Sequence, residues 1–143
     1  MEQDAGSVAR LVIMTAATLN TFGALVVALA CIMQGEAAIL GHDGAAIAGH
    51  VALNRYEAGW YDDIRTGWNG CLDGAPSIEY VLLAGQVISE HEPSDYVFWL
   101  SAKDCERLGM GESSWYYERE IGGRLWGGYA YTEEEWDYAK NAY

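Results

Sequence analysis

The chain has 143 residues, enough for one domain with a real core, and 51% of them are apolar, with six Trp and ten Tyr. That composition belongs to a globular chain and excludes a disordered one. Its formal net charge is −13, from 21 acidic and 8 basic residues. Such a charge repels phosphate backbones, anionic membranes and anionic wall polymers, so nucleic acid is not an expected partner.

The N-terminal run "LVIMTAATLNTFGALVVALACIM" (11–33) is long enough to span a bilayer. Thr15, Thr18, Asn20, Thr21 and Gly23 interrupt it, and its flank "MEQDAGSVAR" is net acidic, the wrong sign for a signal peptide. The pattern predicts two consecutive core helices, 6–19 and 22–35, broken near "LNTFG", rather than a membrane anchor. On that reading the chain carries no export signal of its own. Cys31, inside the run, is expected to behave as a small buried hydrophobe.

"GHDGAAIAG" turns the chain into a third helix, 43–56, in which Ile47, Val51 and Asn54/Arg55 recur at helical spacing. Residues 57–76 read as a long ordered loop rich in Gly, Trp and Asp. Ser77 is placed to cap a helix over 78–90, and Pro93 closes that region. "DYVFWL" (95–100) predicts a short strand. A Ser101 cap, Asp104 and Gly109 bound a short helix. Residues 114–131 suit a β-hairpin turning at Gly122-Gly123, and Thr132 with Glu135 forms a capping box for a C-terminal helix. The expected architecture is a single α+β domain over 1–143, a mainly helical lobe followed by a small antiparallel β lobe.

Cys31, Cys71 and Cys105 stand in no C-x-x-C or Cys/His ligand spacing, and His42, His50 and His91 form no spaced ligand set. No metal or other cofactor is expected. The spacing leaves a Cys71–Cys105 bridge open. Nucleotide-binding and serine-hydrolase motifs do not occur.

The most specific block is Glu36 to Arg55. Glu36-Ala37, Gly44, Val51, Asn54 and Arg55 fit, without a gap over 20 residues, the pattern E-A-x-G-E-x-x-x-G-Q-x-A-V-x-x-V-x-x-N-R. In this it resembles the cell wall hydrolases of the spore cortex-lytic (SleB) type, in which that pattern follows an apolar helix and its first Glu is catalytic. "DYVFWLS" (95–101) and "IGGRLWGGYAY" (121–131) resemble the family's late aromatic segments, with Arg124 where the family usually has His. Leu40 and Ala45 stand where the family has a second Glu and a Gln, so the resemblance is to a divergent member. It implies a lysozyme-like fold and a peptidoglycan lytic transglycosylase or muramidase. The partners would be glycan strands, the site of action the cell wall outside the cytoplasm.

The residues are compatible with that chemistry. A single carboxyl can protonate a glycosidic oxygen and then take the proton of the muramyl 6-hydroxyl as it closes on C1. A proton donor at neutral pH needs raised proton affinity, and the apolar neighbours of Glu36 supply a setting that raises it. No second carboxylate lies within a helical turn, which favours the lytic route over hydrolysis by a carboxylate pair. Sugar sites stack aromatic rings on pyranose faces and bind N-acetyl groups with amides. Trp68 and Asn69, between glycines, are the first substrate-binding candidates, then Tyr96, Trp99, Trp126 and Tyr129. Asn54 and Arg55 are expected to be structural, with Arg55 placed to pair an acid. His42 would border a cleft, and His50 would lie on a helix face. The rival expectation is a catalytically idle relative that serves binding or assembly.

Overall fold

The computed structural model describes residues 16–141. Helix α1 (Ala16–Ala37) leads through a 3-10 turn (Ala38–Leu40) into α2 (Gly41–Glu57). The break expected near "LNTFG" is absent, and α1 runs through Asn20, Thr21 and Gly23. An isolated helical glycine costs only about 1 kcal/mol, and the same helix buries Leu29, Ala30, Ile32 and Met33 completely. Tertiary burial therefore overrides local propensity. Residues 6–15 of the expected first helix lie outside the described residues. The stretch from Thr21 is long and apolar enough to cross a membrane by length and composition, and 44% of its most apolar window is buried in the fold.

Helix α2 is small-residue rich where it meets α1. A Cβ on Gly49 would come within 2.8 Å of Met33 Sδ, so the two helices approach closely there. Helix α3 (Ile78–Glu90) packs on both. Ser77 holds the capping position of α3, but its side chain makes no capping bond. Its backbone N–H instead donates to Gln34 Oε1 at 2.8 Å, tying the start of α3 to the end of α1.

Strand β1 (Tyr96–Ser101), helix α4 (Ala102–Leu108), strands β2 (Trp115–Ile121) and β3 (Arg124–Thr132), and helix α5 (Glu133–Lys140) complete the described chain. The sheet is antiparallel with order β1-β3-β2. Local signals place these elements well. Ser101 Oγ accepts from the Asp104 N–H at 3.2 Å, and Gly109 ends α4 in the left-handed region. Gly122 and Gly123 both have positive φ, as a two-residue hairpin turn demands. Thr132 and Glu135 form the reciprocal capping box of α5. The protein is thus α+β, with helices and a small three-stranded antiparallel sheet.

The sheet separates two hydrophobic clusters. Trp99 and Ala130, with Trp115, Tyr117 and Trp126, face the core built by α1, α2 and α3. Tyr131, with Phe98, Leu100 and Tyr129, faces a second cluster with Cys105 of α4 and Trp136 and Ala139 of α5. This division rules out the Cys71–Cys105 bridge. Cys71 packs on the first cluster and Cys105 belongs to the second, and all three cysteines are free. Cys31 is buried, as its apolar setting predicts.

Candidate active site

Glu36 occupies the last turn of α1, where the helix carbonyls give the negative end of the macrodipole. The loop between α2 and α3 folds back over it. A Cβ on Gly35 would lie 1.8 Å from the Gly70 carbonyl oxygen and 2.8 Å from the Leu72 nitrogen, so only glycine lets the two backbones meet. The Leu72 N–H donates to the Cys31 carbonyl at 3.0 Å, and the Gly70 N–H donates to Glu36 Oε1 at 2.7 Å. Gly70 itself has no room for a side chain, since its Cβ would sit 2.9 Å from the Glu36 carboxyl carbon.

Glu36 is half-buried, and burial pushes its carboxyl pKa above the ordinary value. The Gly70 amide and the Arg55 guanidinium pull the other way, and Asp104 adds to the rise. Burial wins, so the proton is held more tightly than by a free carboxyl.

The β lobe borders this junction. Tyr117 of β2 donates to the Leu40 carbonyl at 3.3 Å, and its ring would lie 3.0 Å from a Cβ on Gly44. The Arg119 guanidinium lies against Gly41, where a Cβ would be 2.3 Å from Nη1. Gly44 is therefore needed for close packing between the start of α2, Leu40 and β2. Leu40 and Ala45 are both buried in the main core, at 3% and 0% exposure.

Arg55 does not form an ion pair within 4 Å among the described residues. Its Nε donates to the Val97 carbonyl of β1, and its guanidinium carbon lies 4.6 Å from the Trp68 ring centre, 5.4 Å from Trp60 and 5.6 Å from Phe98. Asn54 is structural, as expected. Its Nδ2 donates to Ser94 Oγ at 3.0 Å and to the Tyr96 carbonyl at 2.8 Å, while its Oδ1 accepts the Ser94 N–H at 3.0 Å.

The aromatic candidates are not brought together. Trp68 is only 8% exposed, so it is a core residue under Arg55 rather than an open platform beside the glycines. Its neighbour Asn69 is exposed and adjoins the amide that meets Glu36. Trp99 is buried at 9% exposure, against the position of Gly128. Tyr96 is half-buried, edge-on to Trp115, and shares a hydrogen bond with Ser114 Oγ at 2.7 Å. Trp126 is half-buried beneath Arg124. Tyr129 stacks on Tyr116 at 4.5 Å on the opposite face of the sheet from Trp99 and Trp126. The period of two along β3 could have separated Tyr129 from Trp126, which stand an odd number of positions apart.

Sequence reasoning missed Gly35 and the link from Arg55 to the loop. It also missed that His50 and His91 come together. Their rings stack at 5.1 Å with Nδ1 atoms 2.8 Å apart, and Glu57 lies 3.6 Å from His91 Nε2. His42 pairs with Glu79 of α3. Among the described residues no three His, Cys, Asp or Glu side chains converge to hold a metal ion. Two clefts lie away from Glu36. One, of about 960 Å³, runs between the first half of described α1 and residues 62–65; the other, of about 490 Å³, lies beside Trp60, Asp95 and Glu133. Comparison of the chain with protein-family models, with curated proteins and with solved structures finds no match to any of them.

Proposed function

We propose that the protein is a lysozyme-like, peptidoglycan-cleaving glycosidase of the lytic transglycosylase type, with Glu36 as its general acid and base. The observation that carries this reading is the setting of Glu36. A carboxyl closes an apolar helix, its proton affinity is raised by burial and further by Asp104, and a backbone amide fixes one of its oxygens. Protonated Glu36 would donate to the glycosidic oxygen between N-acetylmuramic acid and N-acetylglucosamine as the C1–O bond breaks. The muramyl 6-oxygen then bonds to C1 and its proton returns to the Glu36 carboxylate, leaving a 1,6-anhydro end and a regenerated acid. The amide of Gly70 holds the oxygen that it contacts, leaving the other for proton transfer. Asn69 is exposed, directly precedes the Gly70 amide that contacts Glu36, and suits an N-acetyl group.

The test is digestion of purified peptidoglycan by wild-type and Glu36→Gln protein, with the products weighed by mass spectrometry. Wild type is expected to release anhydromuropeptides. Glu36→Gln is expected to release none while melting as a folded protein. Turnover by that variant sinks the assignment, and reducing muramyl ends from the wild type would make it a hydrolytic muramidase.

A second reading rests on Leu40 and Ala45. Both are sealed in the core where the resembling family has polar residues. A site without those groups, and with Trp68 buried, suits a catalytically idle relative that binds glycan or a protein partner. No product from the wild type, together with retention on insoluble peptidoglycan, supports it.

A further inference from the structure

Arg55 is the one described basic residue whose guanidinium is surrounded by three aromatic rings and a backbone carbonyl instead of a carboxylate. Two of those rings, Trp60 and Trp68, belong to the loop between α2 and α3 whose Gly70 meets Glu36. Between them, a Cβ on Gly67 would lie 3.5 Å from Arg55 Nη1 and 3.4 Å from the Tyr61 ring, and Gly67 takes positive φ at that point. The loop's own backbone bonds carry the position onward. The Trp60 N–H donates to the Arg55 carbonyl at 3.1 Å, and the Cys71 N–H donates to the Trp68 carbonyl at 3.2 Å, closing a turn that contains Gly70.

We propose that Arg55 is a positioning residue for Glu36: by gathering Trp60, Trp68 and the Gly67 turn onto its guanidinium, it holds the Gly70 amide on the Glu36 carboxylate. A cation held over an aromatic face is attracted by the ring quadrupole, most strongly where the pair is desolvated. Two such contacts, to Trp60 and Trp68, act on this one loop, and the third ring, Phe98, belongs to β1. Arginine suits the task and lysine does not, because a planar guanidinium can stack on one ring while donating in its own plane to Val97. The charge has a second effect. Arg55 acts on Glu36 in the sense that favours the carboxylate, alongside the Gly70 amide, against burial and Asp104. Tyr61 and Glu36 are the titratable groups that act on Arg55 in turn. Under the catalytic reading on which this rests, Arg55 keeps the acid from holding its proton too tightly to donate it to the glycosidic oxygen.

The experiment is an NMR titration of the free protein, following the Gly70 amide proton and the Glu36 side-chain carboxyl carbon. In the wild type the Gly70 amide is expected to titrate in step with Glu36, as a donor to that carboxylate must. In Arg55→Met the amide is expected to lose that titration and to exchange with solvent about tenfold faster or more. Glu36 is expected to titrate at higher pH, since both groups that lower its pKa are weakened together. Trp60→Leu, which spares the arginine and its bond to Val97, is expected to accelerate Gly70 exchange in the same direction and serves if Arg55→Met does not fold. A Gly70 amide that stays protected and keeps titrating with Glu36 in either folded variant overturns the proposal. The readout needs no substrate, so full wall-digesting activity of Glu36→Gln would remove the catalytic reading without touching this coupling.

Discussion

Gly35→Ala sets two physical rules against each other. Gly35 lies inside α1, where alanine in place of glycine favours the helix by about 1 kcal/mol. The new methyl, however, would be placed 1.8 Å from the Gly70 carbonyl oxygen, which is backbone and cannot swing aside. Reaching ordinary contact at 3.4 Å needs a separation of about 1.6 Å between helix and loop. A shift of that size takes the 2.7 Å bond from the Gly70 N–H to Glu36 beyond hydrogen-bonding reach. It also strains the 3.0 Å bond from Leu72 to Cys31. A hydrogen bond to a charged group contributes about 1.5–3 kcal/mol and a neutral one about 0.5–1.5 kcal/mol, reduced here because the contact is partly solvated. After subtracting the helix gain, the variant is expected to lose roughly 1–3 kcal/mol. The assay is urea unfolding followed by tryptophan fluorescence. Gly23→Ala is the control, because it lies in the same helix with open space around its Cβ, and it is expected to gain about 0.5–1 kcal/mol. If Gly35→Ala is stabilised in step with Gly23→Ala, the loop does not seat on the end of α1 and the account of the site fails.

Two further predictions test the surroundings. His50 has its pKa lowered below the ordinary 6.5, by burial first and then by His91, against a smaller opposing effect of Glu90. Below that ordinary value the unfolded chain binds a proton that the folded one resists. The stabilising contribution is therefore present above about pH 6.5 and lost as pH falls through the folded pKa. The drop in melting temperature from pH 7.5 to 5 should be smaller for His50→Gln than for wild type, and equal drops would refute it. Thr132→Ala removes one half of the capping box, whose Thr132 Oγ1 accepts the Glu135 N–H at 3.1 Å. It is expected to cost about 1 kcal/mol in urea unfolding, and a change below a few tenths would show that α5 does not depend on its cap.

What could be read from the sequence was what is decided within a few residues. The Ser101 and Thr132 caps, the stop at Gly109 and the Gly122-Gly123 turn are local devices, and each stands where its residues predict. The helix over 78–90 also has the expected bounds, although its Ser77 spends its backbone N–H on Gln34 rather than its hydroxyl on a cap. The uninterrupted α1 was hidden because Asn20, Thr21 and Gly23 argue locally for a break, while the burial that keeps the helix whole comes from elements further along the chain. Trp68 shows the same division. Its flanking glycines did mark a closely approached backbone, since Gly70 meets Glu36, but the approach buries the indole under Arg55 instead of presenting it. Glu36 was legible as a carboxyl in an apolar frame. The amide that holds it comes from Gly70, 34 positions away, and nothing in the spacing announces that partner.

Among the described residues the strand order β1-β3-β2 leaves β2 at a margin of the sheet, paired with another strand on one side alone. Glu118, Arg119 and Glu120 sit in the second half of that strand and are all exposed. A foreign strand docking there would have to desolvate these charges, and a second copy of this chain would bring its own net charge of −13 with it. The charges along β2 and the net charge of the whole chain thus act together against strand-to-strand aggregation at this margin.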